Sequence, residues 1–140
     1  MQEFELRARV TASPEAAWAA YTDHRGWQDW AGVREVVLRQ QGDPAPNGLG
    51  AIRVARQSGI AIEEEITRFD PPRRLEYRMV AGLPVRDYRG QVSFAPEGDG
   101  TSIVWRVSFR PLVPGTGRLL KAVVRRGLGE VLERFARLPL

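Results

Sequence analysis

Apolar and polar residues alternate along most of this chain with a period of two. Phe4, Leu6, Ala8 and Val10 interleave with Glu5, Arg7 and Arg9, the pattern of a half-buried strand. Ser13-Pro14-Glu15 then carries a helix start: a capping hydroxyl, a proline suited to the first helical position and an acid that complements the dipole. A short helix is predicted over residues 14–21. Asp23 can cap a second one ending near Trp30, on which Trp27 and Trp30 share a face because they are three apart. Strand patterns return over 33–41, 49–56 and 60–69. Ile52 and Val54 fall on one face of the second of these, and Ile60, Ile62 and Ile66 on one face of the third. Further strands are marked by Leu75, Tyr77 and Met79, by Tyr88, Val92 and Phe94, and by Ile103, Trp105, Val107 and Phe109. Ser58-Gly59 reads as a tight hairpin turn, Asp70-Pro71-Pro72 as a break because proline cannot donate to a ladder, and Gly98-Asp99-Gly100 as another turn.

The period changes after Gly115. Leu120, Val124, Leu128, Val131, Phe135 and Leu138 recur at steps of four and three, which predicts a helix over 116–138, roughly 35 Å long at ~1.5 Å per residue. Arg126, Glu130, Glu133 and Arg137 lie opposite, with Glu130–Arg134 and Glu133–Arg137 in the favourable i,i+4 order. One strand, two short helices, six strands and a long helix make an α+β chain with a seven-stranded antiparallel sheet. The sheet has one apolar face to cover, and only the long helix is large enough to cover it. With 140 residues, no repeat and no composition break, a single domain over 1–140 is expected, long enough to need no staple.

Composition removes several chemistries. There is no cysteine and one histidine, His24, so neither a thiolate nor a His-rich metal site is expected. The first residues lack the apolar core of a signal peptide and no apolar run is long enough for a bilayer span, so cytoplasmic residence without a membrane span is expected. The net charge of +4 sits in the C-terminal helix, where acids stand in salt-bridge register and no tyrosine or tryptophan interleaves with the arginines. That pattern argues against nucleic acid. No serine carries a nucleophile signature and no glycine-rich stretch matches a phosphate loop.

Three stretches carry a family resemblance. Ser13-Pro14-Glu15-Ala16-Ala17-Trp18 after the first strand resembles the opening of the START-like, Bet v 1-like (SRPBCC) superfamily. Residues 64–77, from Glu64-Glu65-Ile66 through Asp70-Pro71-Pro72-Arg73-Arg74-Leu75 to Tyr77, resemble its mid-domain motif. Gly98-Asp99-Gly100-Thr101 followed by Trp105 is similar to the turn and strand before its last helix. Within the superfamily the chain is similar to the polyketide cyclase/dehydrase and lipid-transport branch. The resemblance implies a helix-grip fold, a curved sheet wrapped around the C-terminal helix. It also implies binding or transport of a small hydrophobic ligand, lipid or polyketide-like, in an internal cavity. Fold alone does not choose among the functions this superfamily hosts. A cyclase/dehydrase-type enzyme working in that cavity is the alternative, and a protein-interaction or co-chaperone-like module is the second alternative.

Strand parity and the helix stripe nominate the cavity lining. From the sheet come Ile52, Val54, Ile62, Glu64, Tyr77 and Tyr88, with Val92, Trp105 and Val107; from the helix come Val124 and Leu128. Glu64 is the most informative. It shares parity with Ile60, Ile62 and Ile66, and a carboxylate pointing inward must be paired, hydrogen-bonded or protonated. It is either a polar contact or general acid/base in the cavity, or a carboxylate satisfied near the rim by an arginine or a backbone donor. The Tyr77 and Tyr88 hydroxyls could orient a ligand carbonyl or simply belong to core rings. His24 is expected in a helix-cap or surface role. Trp18, Tyr21, Trp27 and Trp30 either plug one end of the sheet or form a cavity mouth. Gly127 and Gly129, costly inside a helix, admit either a close backbone approach or space for a ligand. No catalytic residue, metal or cofactor is assigned, and the oligomeric state is open.

Overall fold

The computed structural model describes residues 1–140. Strand β1 (Gln2–Val10) leads into helices α1 (Pro14–Thr22) and α2 (Trp27–Trp30). Strands β2 (Glu35–Gln40), β3 (Ile52–Gln57), β4 (Ile60–Asp70), β5 (Arg74–Ala81), β6 (Val85–Glu97) and β7 (Gly100–Pro111) follow, and helix α3 (Gly117–Ala136) closes the order. All seven strands form one antiparallel sheet in the order β1-β7-β6-β5-β4-β3-β2. The connections are hairpins except between β1 and β2, where the short helices carry the chain from one edge of the sheet to the other. No helix is long and apolar enough to cross a membrane.

Local chemistry accounts for the ends of the elements. The Ser13 hydroxyl accepts from the Ala16 amide at 3.2 Å and Pro14 occupies the first turn of α1. Asp23 caps a turn rather than the helix itself: its carboxylate accepts from the Gly26 amide at 3.3 Å, and α2 begins only at Trp27. Ser58 and Gly59 both have positive φ, 51° and 81°, the signature of the two-residue turn that matches strand twist. That turn fixes the register of β3 on β4.

The short helices are a plug. Trp18 packs edge-on against Phe69 and Phe94, and Tyr21 lies edge-on to Trp27, Phe94, Trp105 and Phe135 at 5.1–5.7 Å. Tyr21 therefore joins the sheet (Phe94, Trp105), α2 (Trp27) and α3 (Phe135) through one ring. The Trp27 indole donates to the Tyr21 carbonyl at 2.8 Å, which ties α2 to α1.

Helix α3 packs on β1 and, more lightly, on β7. Its stripe is as expected, with Leu132 buried in addition. The i,i+4 pairs differ: Glu130–Arg134 and Glu133–Arg137 do not form, and Arg126–Glu130 does, at 3.6 Å. Arg134 instead lies over Gly32, where φ is +82° and an added Cβ would meet its guanidinium. Nothing lies within 4 Å of where a Cβ would stand on Gly127 or Gly129. Close backbone approach is not the reason for either glycine.

Trp105 and Phe135 meet through Tyr21, and both are essentially inaccessible to water. Trp105→Ala and Phe135→Ala are each expected to lower the unfolding free energy by about 3–5 kcal/mol, read as a shift of the denaturant midpoint. A midpoint that barely moves would mean that sheet, plug and helix do not converge on Tyr21.

Candidate functional site

The Ser58-Gly59 turn places Gln57 opposite Ile60, and counting outward along the hairpin sets Ala55 opposite Ile62 and Arg53 opposite Glu64. Ile66 pairs with Tyr77, a core ring, so Ile62, Glu64 and Ile66 face the interior as parity predicts. The same register turns Arg53 inward with them. It also corrects the orientation of Ile52 and Val54: they are shielded, but their cross-strand partners are Glu65 and Glu63, so their side chains lie on the outer face. They stand apart from the main apolar cluster. Three shielded residues in a row, Ile52-Arg53-Val54, hide the parity of β3.

Arg53 is 3% exposed and its Nε donates to Glu64 Oε1 at 3.1 Å; Glu64 is 14% exposed. The guanidinium lies between two rings, 4.6 Å from the Trp27 centroid and 4.9 Å from that of Tyr77, a desolvated cation–π arrangement. Its Nη1 lies 3.2 Å from Nδ1 of His24. His24 Nε2 lies 3.0 Å from the Asn47 carbonyl, which can only accept. The imidazole therefore carries its proton on Nε2, and Nδ1 accepts from the arginine. The Asn47 side chain also accepts from the His24 amide at 3.4 Å, so the β2–β3 loop holds His24 at two points. His24 is fully buried, not a surface or cap residue.

Aromatic hydroxyls surround this cluster. Tyr77 accepts from the Trp105 indole at 3.0 Å, and its ring leans over Gly90, where a Cβ would collide with it. Tyr88 is tilted beside it at 6.4 Å. The Tyr21 hydroxyl is buried with no hydrogen-bond partner. Burial pushes all three phenols up, so they stay protonated. Burial also raises the Glu64 carboxyl above its ordinary value, and the Arg53 charge only partly offsets this. Burial works against the charge of Arg53, but Glu64 leads the opposing effects and its pKa ends higher than usual. His24 is pushed down to about 3, by burial first and the Arg53 cation second.

The other expected lining residues divide in two. Tyr77, Val92, Trp105 and Val107 are closed off as core, with Tyr88 and Val124 nearly so. Ile62, Glu64 and Leu128 are only half-buried. Two surface depressions, of about 570 and 580 Å³, lie elsewhere. One is on the outer face around Glu5, Glu76, Gln91 and Arg106, and the other is between α3 and β1 around Leu6, Arg125, Gly129 and Glu133. Val107 borders the first from behind, while its side chain points inward. The interior is thus closed to water at the Trp105 end and partly exposed at Ile62, Glu64 and Leu128. Because Trp18, Tyr21 and Trp27 are buried, the short helices offer no exposed aromatic patch to a protein partner.

A curved antiparallel sheet gripping a C-terminal helix, plugged at one end and carrying a polar cluster inside, defines the helix-grip class. The chain belongs to the polyketide cyclase/dehydrase and lipid-transport family, whose model matches residues 1–138. Solved structures share its fold. A START superfamily protein from Mycobacterium smegmatis is similar with a TM-score of 0.82 at 11% identity, over 96% of this chain and 94% of that one. A solution structure from Thermobifida fusca has a TM-score of 0.77 at 26% identity, over 99% and 96%. A point mutant of norcoclaurine synthase from Thalictrum flavum, in complex with a transition-state analogue, has a TM-score of 0.76 at 15% identity, over 97% and 92%. No curated protein matches the chain.

The buried imidazole makes an acid-side prediction. Its folded value of about 3 lies below its ordinary 6.5, so the unfolded chain binds a proton first. Stability is then fully present above 6.5 and falls as pH drops toward 3, at up to about 1.4 kcal/mol per pH unit. Glu64 acts in the opposite sense above its ordinary value, and Arg53 stays charged throughout. The difference between wild type and His24→Gln isolates the imidazole. Denaturant midpoints across that window should converge at acid pH, and parallel curves would refute a neutral, buried His24.

Proposed function

We propose that the chain binds a small hydrophobic ligand between the inner face of the sheet and α3, entering at the Glu64 end. The observation that carries this reading is an ion pair kept in an apolar interior with its carboxylate as the more open member. Such a pair is rarely worth its desolvation to the fold, and apolar replacements of similar volume are often neutral or stabilising. Retaining it beside an orphaned Tyr21 hydroxyl suits a ligand site, where a few convergent polar groups orient an otherwise apolar molecule. Half-buried Ile62 on β4 and Leu120, Leu128 and Val131 on α3 add apolar surface on the two elements. Family membership supports the same reading.

One observation favours a second reading, a cyclase/dehydrase-type reaction. A carboxyl raised by burial and protonated phenols nearby are the groups that proton transfer to and from a polyketide-like substrate would use.

Both readings place Glu64 against the ligand. Because its proton is held more tightly in the folded chain than in the unfolded one, its charge detracts from stability as pH rises above its ordinary value. Glu64→Gln keeps the shape but leaves the buried Arg53 cation unpaired, so it should lower stability by roughly 3–5 kcal/mol with or without ligand. It should also abolish or weaken retention of the co-purifying small molecule that native mass spectrometry of protein from the source cell would reveal. Unchanged retention in the folded variant would make Glu64 structural and end the ligand assignment.

A further inference from the structure

We propose that the interior site selects an uncharged, hydroxyl-bearing apolar molecule, a phenol or an alcohol, and discriminates against carboxylates and phosphates. This selectivity rests on the ligand-binding reading above and concerns only the head group.

Of the two buried charges, the carboxylate is the one presented. Glu64 is 14% exposed and Arg53 3%. Arg53 already gives Nε to Glu64 and Nη1 to His24, and both faces of its guanidinium are covered, by Trp27 and Tyr77. Its 3% exposure and the two covering rings leave little of its edge open to an incoming carboxylate or phosphate. An incoming anion therefore meets Glu64 first and finds no unpaired cation to offset its loss of hydration. An ammonium group fares little better. The Arg53–Glu64 pair is neutral as a whole, so little excess charge remains to offset the loss of hydration.

The groups left over match a hydroxyl. Glu64 engages Arg53 through Oε1 alone, so Oε2 remains an acceptor. Tyr21 has a buried hydroxyl with no partner, placed where it feels the charges of both Arg53 and Glu64. The Tyr77 oxygen already accepts from Trp105, so its remaining capacity is its proton. An acceptor that needs a donor, beside phenols that need an acceptor, is complemented by a group that does both. A hydroxyl does, whereas a carboxylate or phosphate dianion only accepts.

The test compares two probes with one ring system, 2-naphthol and 2-naphthoate, titrated calorimetrically into the full chain at neutral pH. The expected result is that 2-naphthol binds about tenfold or more tightly than 2-naphthoate. In Glu64→Gln, with its fold checked by circular dichroism, that preference should collapse because Arg53 is then an unpaired cation. Equal or tighter binding of 2-naphthoate to the wild type would overturn the head-group assignment and leave the ligand-binding reading standing. An undiminished preference in a folded Glu64→Gln would also overturn it. Failure of both probes and of the neutral dye Nile red to bind would bring down the ligand-binding reading and the selectivity with it. The wild-type comparison decides even if the variant does not fold.

Discussion

A guanidinium taken out of water is costly unless its surroundings answer it at every side, and in this chain the surroundings of Arg53 come from all over the sequence. Glu64 on β4 supplies the counter-charge, His24 from the α1–α2 connection accepts a second hydrogen bond, and Trp27 on α2 and Tyr77 on β5 cover the two faces. Asn47 in the β2–β3 loop holds His24 in the tautomer that can accept. One cation thereby couples five segments. It also explains why the short helices are there: they bring His24 and Trp27 to a sheet position that β3 and β4 could not complete alone.

Around this cluster the interior has two characters. At the plug, Tyr21 joins Trp27, Phe94, Trp105 and Phe135 edge to face, and ring against ring leaves a rigid wall. Toward Glu64 the side chains are half-buried. Helix α3 approaches β1 most closely. A polar cluster set against a rigid aromatic wall is the arrangement an orienting site needs, because precision comes from groups locked by their own packing.

Much of this was legible in the residues. Alternation marked all seven strands, Ser13-Pro14-Glu15 marked α1, and the four-and-three stripe from Leu120 to Leu138 marked α3 with its core face. Glu64 was nominated from parity alone. Arg53 was not, because Ile52 and Val54 flank it and hydrophobicity alone assigns the inner face to them. That signal misleads where both faces of a strand are shielded. The better signal was the turn. A two-residue hairpin at Ser58-Gly59 fixes every rung behind it, and counting back places Arg53 opposite Glu64 without reference to hydrophobicity. His24 was unreadable for another reason. Its partners lie in a loop and on a distant strand, and a lone histidine between two short helices says nothing of either. Parity says which side chains point inward but not how tightly they fill the space.

The central claim is that the buried charges serve a ligand and not the fold. The most direct measurement replaces the whole cluster with apolar residues of similar size, Arg53→Met, Glu64→Leu and His24→Leu together, and records both the denaturant midpoint and the affinity for 2-naphthol. The account predicts a midpoint no lower than that of the wild type, as for other buried ionic clusters replaced by apolar groups, with 2-naphthol binding lost. A midpoint lowered by several kcal/mol of stability, with 2-naphthol binding intact, would contradict it.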